Sequence, residues 1–131
     1  MTNSCGALCF AWTRRNLNEV LIDHALASLG DSYVNFIYSL AISNRKGSPL
    51  GTKVKGSVLA EALRKAGLRE CLPSRMSRHD LADGAEALMV YAWLSRCVSL
   101  DESVAVIGRN RDPVEGLSEL LTKIKRQITF P

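Results

Sequence analysis

Residues 24–44 read HALASLGDSYVNFIYSLAISN, and how this stretch is read decides the fold. No charged residue falls between Asp31 and Arg45, and apolar residues at 26, 29, 33, 36, 37, 40 and 41 keep helical spacing. The opposite side carries Ala27, Asp31, Val34, Asn35, Tyr38 and Ile42. The pattern therefore predicts a helix that is apolar nearly all round and buried nearly all round. Asp31 is then a carboxylate in an apolar setting, which needs a cation, a metal or several donors to stay charged. Gly30 costs roughly 1 kcal/mol relative to alanine inside a helix, unless it lets a neighbour come close. With Ser28, Ser32 and Ser39 it suggests a second helix crossing at short range.

Outward from this stretch the chain punctuates itself. Residues 1–12 carry no strong pattern and fit a short strand or an irregular arm. Arg14 to Ile22 reads as a short helix, and Asn44 to Lys55, with Gly47, Pro49 and Gly51 among Arg45, Lys46, Lys53 and Lys55, reads as a basic loop. A helix is predicted from Gly56 to Ala66, stopped by Gly67. Arg69 to Arg78 is a connection broken by Pro73, which sits where the recognition helix of a helix-turn-helix would have to run. A long helix then runs from Ser77 to Val98 with Ser77 as N-cap and a core face of Leu81, Ala85, Leu88 and Ala92. Ser99 and Glu102 form a capping box for a helix to about Arg109. Asp112-Pro113-Val114-Glu115 opens the last helix, whose stripe is Leu117, Leu121, Ile124 and Ile128. Lys123, Lys125 and Arg126 in its last turns suit the helix dipole better than they suit an RNA-binding patch.

The fold expected is all-α, one domain over residues 1–131. With 47% hydrophobic and 23% charged residues, the composition is that of an ordinary globular chain. Seventeen Lys and Arg against 13 Asp and Glu give a net charge of +4, a mild lean toward polyanionic partners. No run approaches the roughly 18 apolar residues of a membrane span and the start lacks a signal-peptide pattern, so a cytoplasmic protein is expected. Cys5, Cys9, Cys71 and Cys97 have no metal-binding spacing and read as mostly buried thiols, a Cys5–Cys9 bridge being the lesser alternative.

Two helices far apart in sequence thus place acids on apolar faces: Asp31 with Asn35, and Asp83 with Glu86. Three carboxylates and one amide oxygen are a hard, oxygen-only donor set of the kind that suits Mg²⁺ or Mn²⁺. Zinc is disfavoured, because only His24 and His79 could supply imidazole.

Leu29-Gly30-Asp31-Ser32 resembles the signature helix of the ribonuclease III catalytic domain. Ala82-Asp83-Gly84-Ala85-Glu86-Ala87-Leu88 resembles that family's second metal-binding helix. Gly56-Ser57-Val58-Leu59-Ala60-Glu61 through Leu68-Arg69-Glu70-Cys71-Leu72 is similar to the helix and turn that link them. The resemblance implies a ribonuclease III endonuclease-domain-like helical bundle, of a compact, mini-ribonuclease III or archaeal type. It implies a homodimer whose joined cleft takes double-stranded RNA, and Mg²⁺-dependent hydrolysis leaving 5′-phosphates. By the same correspondence Asp31, Asp83 and Glu86 are catalytic metal ligands; from the residues themselves, Asn35 or a water would take the place of a missing ligand, and Lys46, Lys53 and Lys55 either hold phosphates or form a solvated basic loop. The family's two signature glutamates fall here on His24 and Ala27, and an acid of the following loop falls near Lys46. The alternative is therefore a member of this fold that has lost catalysis and serves as a dimeric RNA-binding or ribosome-assembly protein. A helical nucleotide pyrophosphohydrolase is a third class, and its sites are richer in paired glutamates.

Overall fold

The structure, a computed structural model, describes residues 16–130, so the expectations for residues 1–12 and for Cys5 and Cys9 lie outside the described residues. Its helices are α1 (Leu17–Leu21), α2 (His24–Lys46), α3 (Gly56–Lys65), α4 (Arg78–Leu94), α5 (Leu100–Gly108) and α6 (Pro113–Gln127). One 3₁₀ turn, Arg69–Cys71, lies between α3 and α4. No strand occurs among the described residues, and the all-α expectation holds.

The helix starts are fixed by local chemistry. Asn16 with Glu19, Ser77 with Asp80, and Ser99 with Glu102 each form a reciprocal capping box at the head of α1, α4 and α5. Asp23 caps α2 through the Leu26 N–H at 2.9 Å, and Asp112 caps α6 ahead of Pro113. Gly47, at φ 78°, takes the left-handed turn that ends α2. That end comes later than the sequence suggested. Arg45 and Lys46 complete the last helical turn, where cations face the carbonyl end of the dipole, and Lys46 is not a loop residue.

The helix enclosed on all sides is α4, not α2. From Leu81 to Ala92 every residue except Asp83 is buried, and α1, α2, α3 and α6 all pack on this segment. Its many alanines let those neighbours approach. It stops at Leu94, a turn short of Val98, because Arg96 adopts φ 65° and turns the chain out of the helix.

Among the described residues, α2 packs mainly on α4 and α5, along one side. Leu26, Tyr33, Val34, Ile37 and Ala41 are buried as the spacing required, and Ala27, assigned to the far side, is buried with them. Leu29 and Phe36, expected in the core, stand 40% and 55% exposed, because no third helix among the described residues covers them. The expectation of burial nearly all round is corrected accordingly, and Asp31 is an exposed residue.

The close crossing predicted from Gly30 is present. A Cβ at Gly30 would lie 2.2 Å from the Glu86 carbonyl oxygen, so α2 and α4 touch backbone to backbone there. The serines play no part in it. Ser28 and Ser32 are exposed, and Ser39 holds the following loop by exchanging hydrogen bonds with Thr52. Cys71 and Cys97 are free thiols and only half-buried.

Candidate active site

The crossing at Gly30 decides where the acids meet. Asp31 follows the contact residue on α2, and Glu86 is the contact residue on α4, so the two side chains leave the crossing toward the same place. They share a hydrogen bond. Asp83, one turn before Glu86 on α4, adds its charge from the solvent side and keeps its side chain 20% exposed. The three expected ligands are therefore neighbours, although the roles are redistributed. Glu86, at 7% exposure, is the buried acid, and Asp31 is not.

Burial comes first among the causes that push the Glu86 carboxyl up to about 8. The hydrogen bond that protonated Glu86 donates to Asp31 and the charges of Asp31 and Asp83 follow, and Lys53 pulls the other way. Glu86 thus stays protonated at neutral pH, since carboxylates this close cannot all ionise without a cation.

Asn35, expected to lend an amide oxygen to a metal, has that oxygen engaged. Its Oδ1 accepts the Val54 N–H at 2.8 Å, while its Nδ2 donates to Asp31 Oδ1 at 3.2 Å. It is a bracket that orients Asp31 and fastens the loop before α3. That bracket brings Lys53, the residue before Val54, within electrostatic reach of Glu86. Ser43 reinforces the same loop, donating to the Leu50 carbonyl at 3.1 Å and accepting the Leu50 N–H at 2.9 Å. Of the three lysines named from sequence, only Lys53 is thereby placed at the acids. Lys55 precedes the first residue of α3 as its N-cap, and Lys46 ends α2. Lys125 is a structural cation, donating to the Ala66 and Gly67 carbonyls at the end of α3.

Sequence reasoning passed over His79. Its Nε2 lies 3.5 Å from Asp83 Oδ2, and His24 Nδ1 lies 3.5 Å from the same oxygen. The signal was available for one of them: His79 and Asp83 are i and i+4 on α4. His24 reaches the site from the first position of α2, where the resemblance drawn from the sequence expects a signature glutamate.

A family model described as Ribonuclease III matches residues 24–129. The chain belongs to the ribonuclease III family. The match begins where α2 begins and runs past the end of α6, so it takes in both acid-bearing helices and leaves α1 outside. No curated protein matches the chain. Ala27, where the resemblance drawn from the sequence expects a glutamate, is 3% exposed, closed into the core beside the crossing.

The donor chemistry fits a hard divalent cation. Three carboxyl groups converge, and burial, reinforced by the neighbouring Asp31 and Asp83, keeps Glu86 protonated. Among the described residues, however, no group of three or more His, Cys, Asp or Glu side chains is placed so that it could hold a metal ion. The same residues hold no helix long and apolar enough to cross a membrane.

Proposed function

We propose that this ribonuclease III-family chain is a divalent-metal-dependent endoribonuclease of the cytoplasm, acting on double-stranded or structured RNA as a homodimer. The observation that carries the reading is the convergence of Asp31, Asp83 and Glu86 from two helices locked together at Gly30. Those three residues would hold Mg²⁺ or Mn²⁺. Such an ion activates water and offsets the charge that develops on a phosphodiester during hydrolysis.

The chain's own residues do the rest. Asn35 fixes the orientation of Asp31, so that a donor is in place before RNA arrives. Lys53 sets a positive charge beside the carboxylates, where it attracts the phosphate and opposes the repulsion between substrate and acids. Lys55, exposed at the unpaired N-terminus of α3, adds a second cation to the same approach.

One observation favours the second reading, a retired enzyme acting as an RNA-binding scaffold. Ala27 removes one carboxylate, and its site has filled with packing atoms. The decisive experiment incubates the protein with long double-stranded RNA and Mg²⁺ or Mn²⁺, with Asp83→Ala alongside. The expected result is cleavage by the natural chain and a loss of about a hundredfold or more in the variant, because a ligand used in the transition state is gone. RNA retained on the protein but left intact in both ions supports the scaffold instead.

The homodimer rests on the open side of α2. Ala25, Leu29, Ser32 and Phe36 rise along it at helical spacing, and Leu50 is held beside the next turn by Ser43. Phe36 at 55%, Leu29 at 40% and Leu50 at 39% exposure are large apolar groups that a second copy would cover. Because Gly30 is already used by α4, this contact is made by protruding side chains and not by the small-residue crossing that the sequence suggested. Sedimentation at micromolar concentration is expected to show a dimer, and Phe36→Glu to weaken it at least about thirtyfold with helical content kept. A natural chain that sediments as a monomer removes the dimer and the composite RNA cleft with it.

A further inference from the structure

We infer that residues 51–55 form a contact strip for the phosphate backbone of RNA, built from outward main-chain N–H groups as well as lysines and held in one shape against α2. This deepens the reading above by naming how a strand is gripped beside the carboxylates, and it rests on that reading for RNA as the polyanion.

The strip follows from how the chain returns along α2. Asn35, Ser39 and Ser43 stand one turn apart on that helix, and their side-chain oxygens accept the N–H groups of Val54, Thr52 and Leu50 at 2.8, 2.9 and 2.9 Å. Ser39 and Ser43 also donate to the Thr52 and Leu50 carbonyls. Four helical residues rise about 6 Å and two extended residues span about 6.6 Å, so alternate residues of an extended, antiparallel chain meet successive turns of the helix. Lys55 continues the extended path at φ −69° and ψ 143°.

An extended chain turns successive N–H groups to opposite sides. Because Leu50, Thr52 and Val54 face the helix, the N–H groups of Gly51, Lys53 and Lys55 face away from it. Among the described residues none of those three groups has a hydrogen-bond partner, and all three residues are exposed, while Thr52 and Val54 between them are half-buried. The outward donors recur about every 6.6 Å, near the spacing of successive phosphates along one strand.

Charge then selects the occupant. No Asp or Glu falls between Asp31 and Glu61, whereas Arg45, Lys46, Lys53 and Lys55 do. Arg45 is engaged at the Gly108 and Asn110 carbonyls, and Lys53 and Lys55 belong to the strip itself. A peptide strand fits less well, since three outward residues are short for strand pairing and lysines on an edge oppose it. Phosphates accept from main-chain N–H groups and pair with lysines, so they satisfy both features at once. The charge of Lys53 reaches Glu86, which sets the strip beside the carboxylates.

The full chain, kept in EDTA so that no strand is cut, is titrated with a short RNA duplex by fluorescence anisotropy at several salt concentrations, each variant being checked by thermal melting. Lys53→Gln and Lys55→Gln should each weaken binding about fivefold and flatten the logarithmic salt dependence by about one unit. Gly51→Pro removes one outward N–H and leaves the three clamps in place. It should bind about threefold or more weakly with the salt dependence kept, whereas Gly51→Ala should match the natural chain. The lysine variants carry the test if proline unfolds the protein. Unchanged affinity and salt dependence in both lysine variants, Gly51→Pro that folds and binds like Gly51→Ala, or a natural chain that binds no RNA overturns the strip. Competition by polyglutamate equal to that by RNA of the same charge overturns it too, and would make the edge a protein contact. The two readings fail separately. Strip-dependent binding by a chain that cuts no RNA in Mg²⁺ or Mn²⁺ removes the nuclease and leaves the strip, and cleavage by a chain whose binding ignores these variants does the reverse.

Discussion

Gly30→Ala is expected to destabilise the protein by about 4 kcal/mol or more, where helix propensity alone would have it gain about 1 kcal/mol. The reason is the crossing. The added methyl would sit 2.2 Å from the Glu86 carbonyl oxygen and 2.5 Å from its carbonyl carbon, distances that only a movement of backbone can relieve. α4 cannot retreat, because α1, α3 and α6 pack on it from other sides. α2 must lift instead, opening the contacts of Val34 and Ile37 beneath it. For a domain of this size the melting temperature should fall by about 12 °C or more. Gly51→Ala is the control, since nothing lies within 4 Å of that position, and it should melt within a degree or two of the natural chain. The same lift carries Asp31 away from Glu86, so any Gly30→Ala protein that folds should also bind Mn²⁺ less tightly. A Gly30→Ala protein as stable as the natural chain would show that the helices do not touch there.

That glycine shows what a sequence can and cannot disclose. Its oddity in a helix was visible, and a close crossing followed from it, but the partner was not visible, because the Glu86 carbonyl carries no side-chain signature. The helix starts were legible for the opposite reason. Capping pairs such as Ser77 with Asp80 and Ser99 with Glu102 are three residues apart and complete in themselves. The helix ends were less so: α4 stops where Arg96 takes a positive φ, a role that glycine would have advertised and arginine does not.

Burial was the harder quantity. Leu29 and Phe36 share helical spacing with Leu26, Tyr33 and Ile37, and periodicity does not say which apolar residues their own chain will cover. The consequence reached the site. With α2 taken as the enclosed helix, Asp31 became the costly acid, whereas enclosure of α4 makes it Glu86. The meeting of the three carboxyls was legible because Asp83 and Glu86 are i and i+3 and because the family's motifs were present. The bracket at Asn35 was not, since its acceptor role depends on Val54, 19 residues away across the loop.

Without a divalent ion, the protein should lose stability as pH rises from about 5 to 9, and Glu86→Gln should abolish most of that loss. The folded state holds the Glu86 proton up to about 8, whereas the unfolded chain releases it near the ordinary value of 4.5. Between those two values the folded state binds more protons than the unfolded one, so the free energy of unfolding falls with pH. The contribution is complete below 4.5 and spent above 8, and it amounts to on the order of 3–4 kcal/mol. In melting temperature that is a fall of about 10 °C between pH 5 and pH 9, beyond the background set by the other groups. Glutamine keeps the shape and the hydrogen-bonding reach of a protonated glutamate but has no proton to lose. Its melting curve should match the natural chain at pH 5 and lie well above it at pH 9. Mn²⁺ separates this from ordinary alkaline instability, because an ion among Asp31, Asp83 and Glu86 replaces the proton and favours the ionised carboxylate. The natural chain should therefore recover most of its lost stability at pH 9 when Mn²⁺ is added, and Glu86→Gln should recover little. Parallel pH profiles for the two proteins would mean that Glu86 ionises freely in the fold and that the carboxyls are not crowded. A gain from Mn²⁺ in the variant equal to that in the natural chain would place the ion away from Glu86.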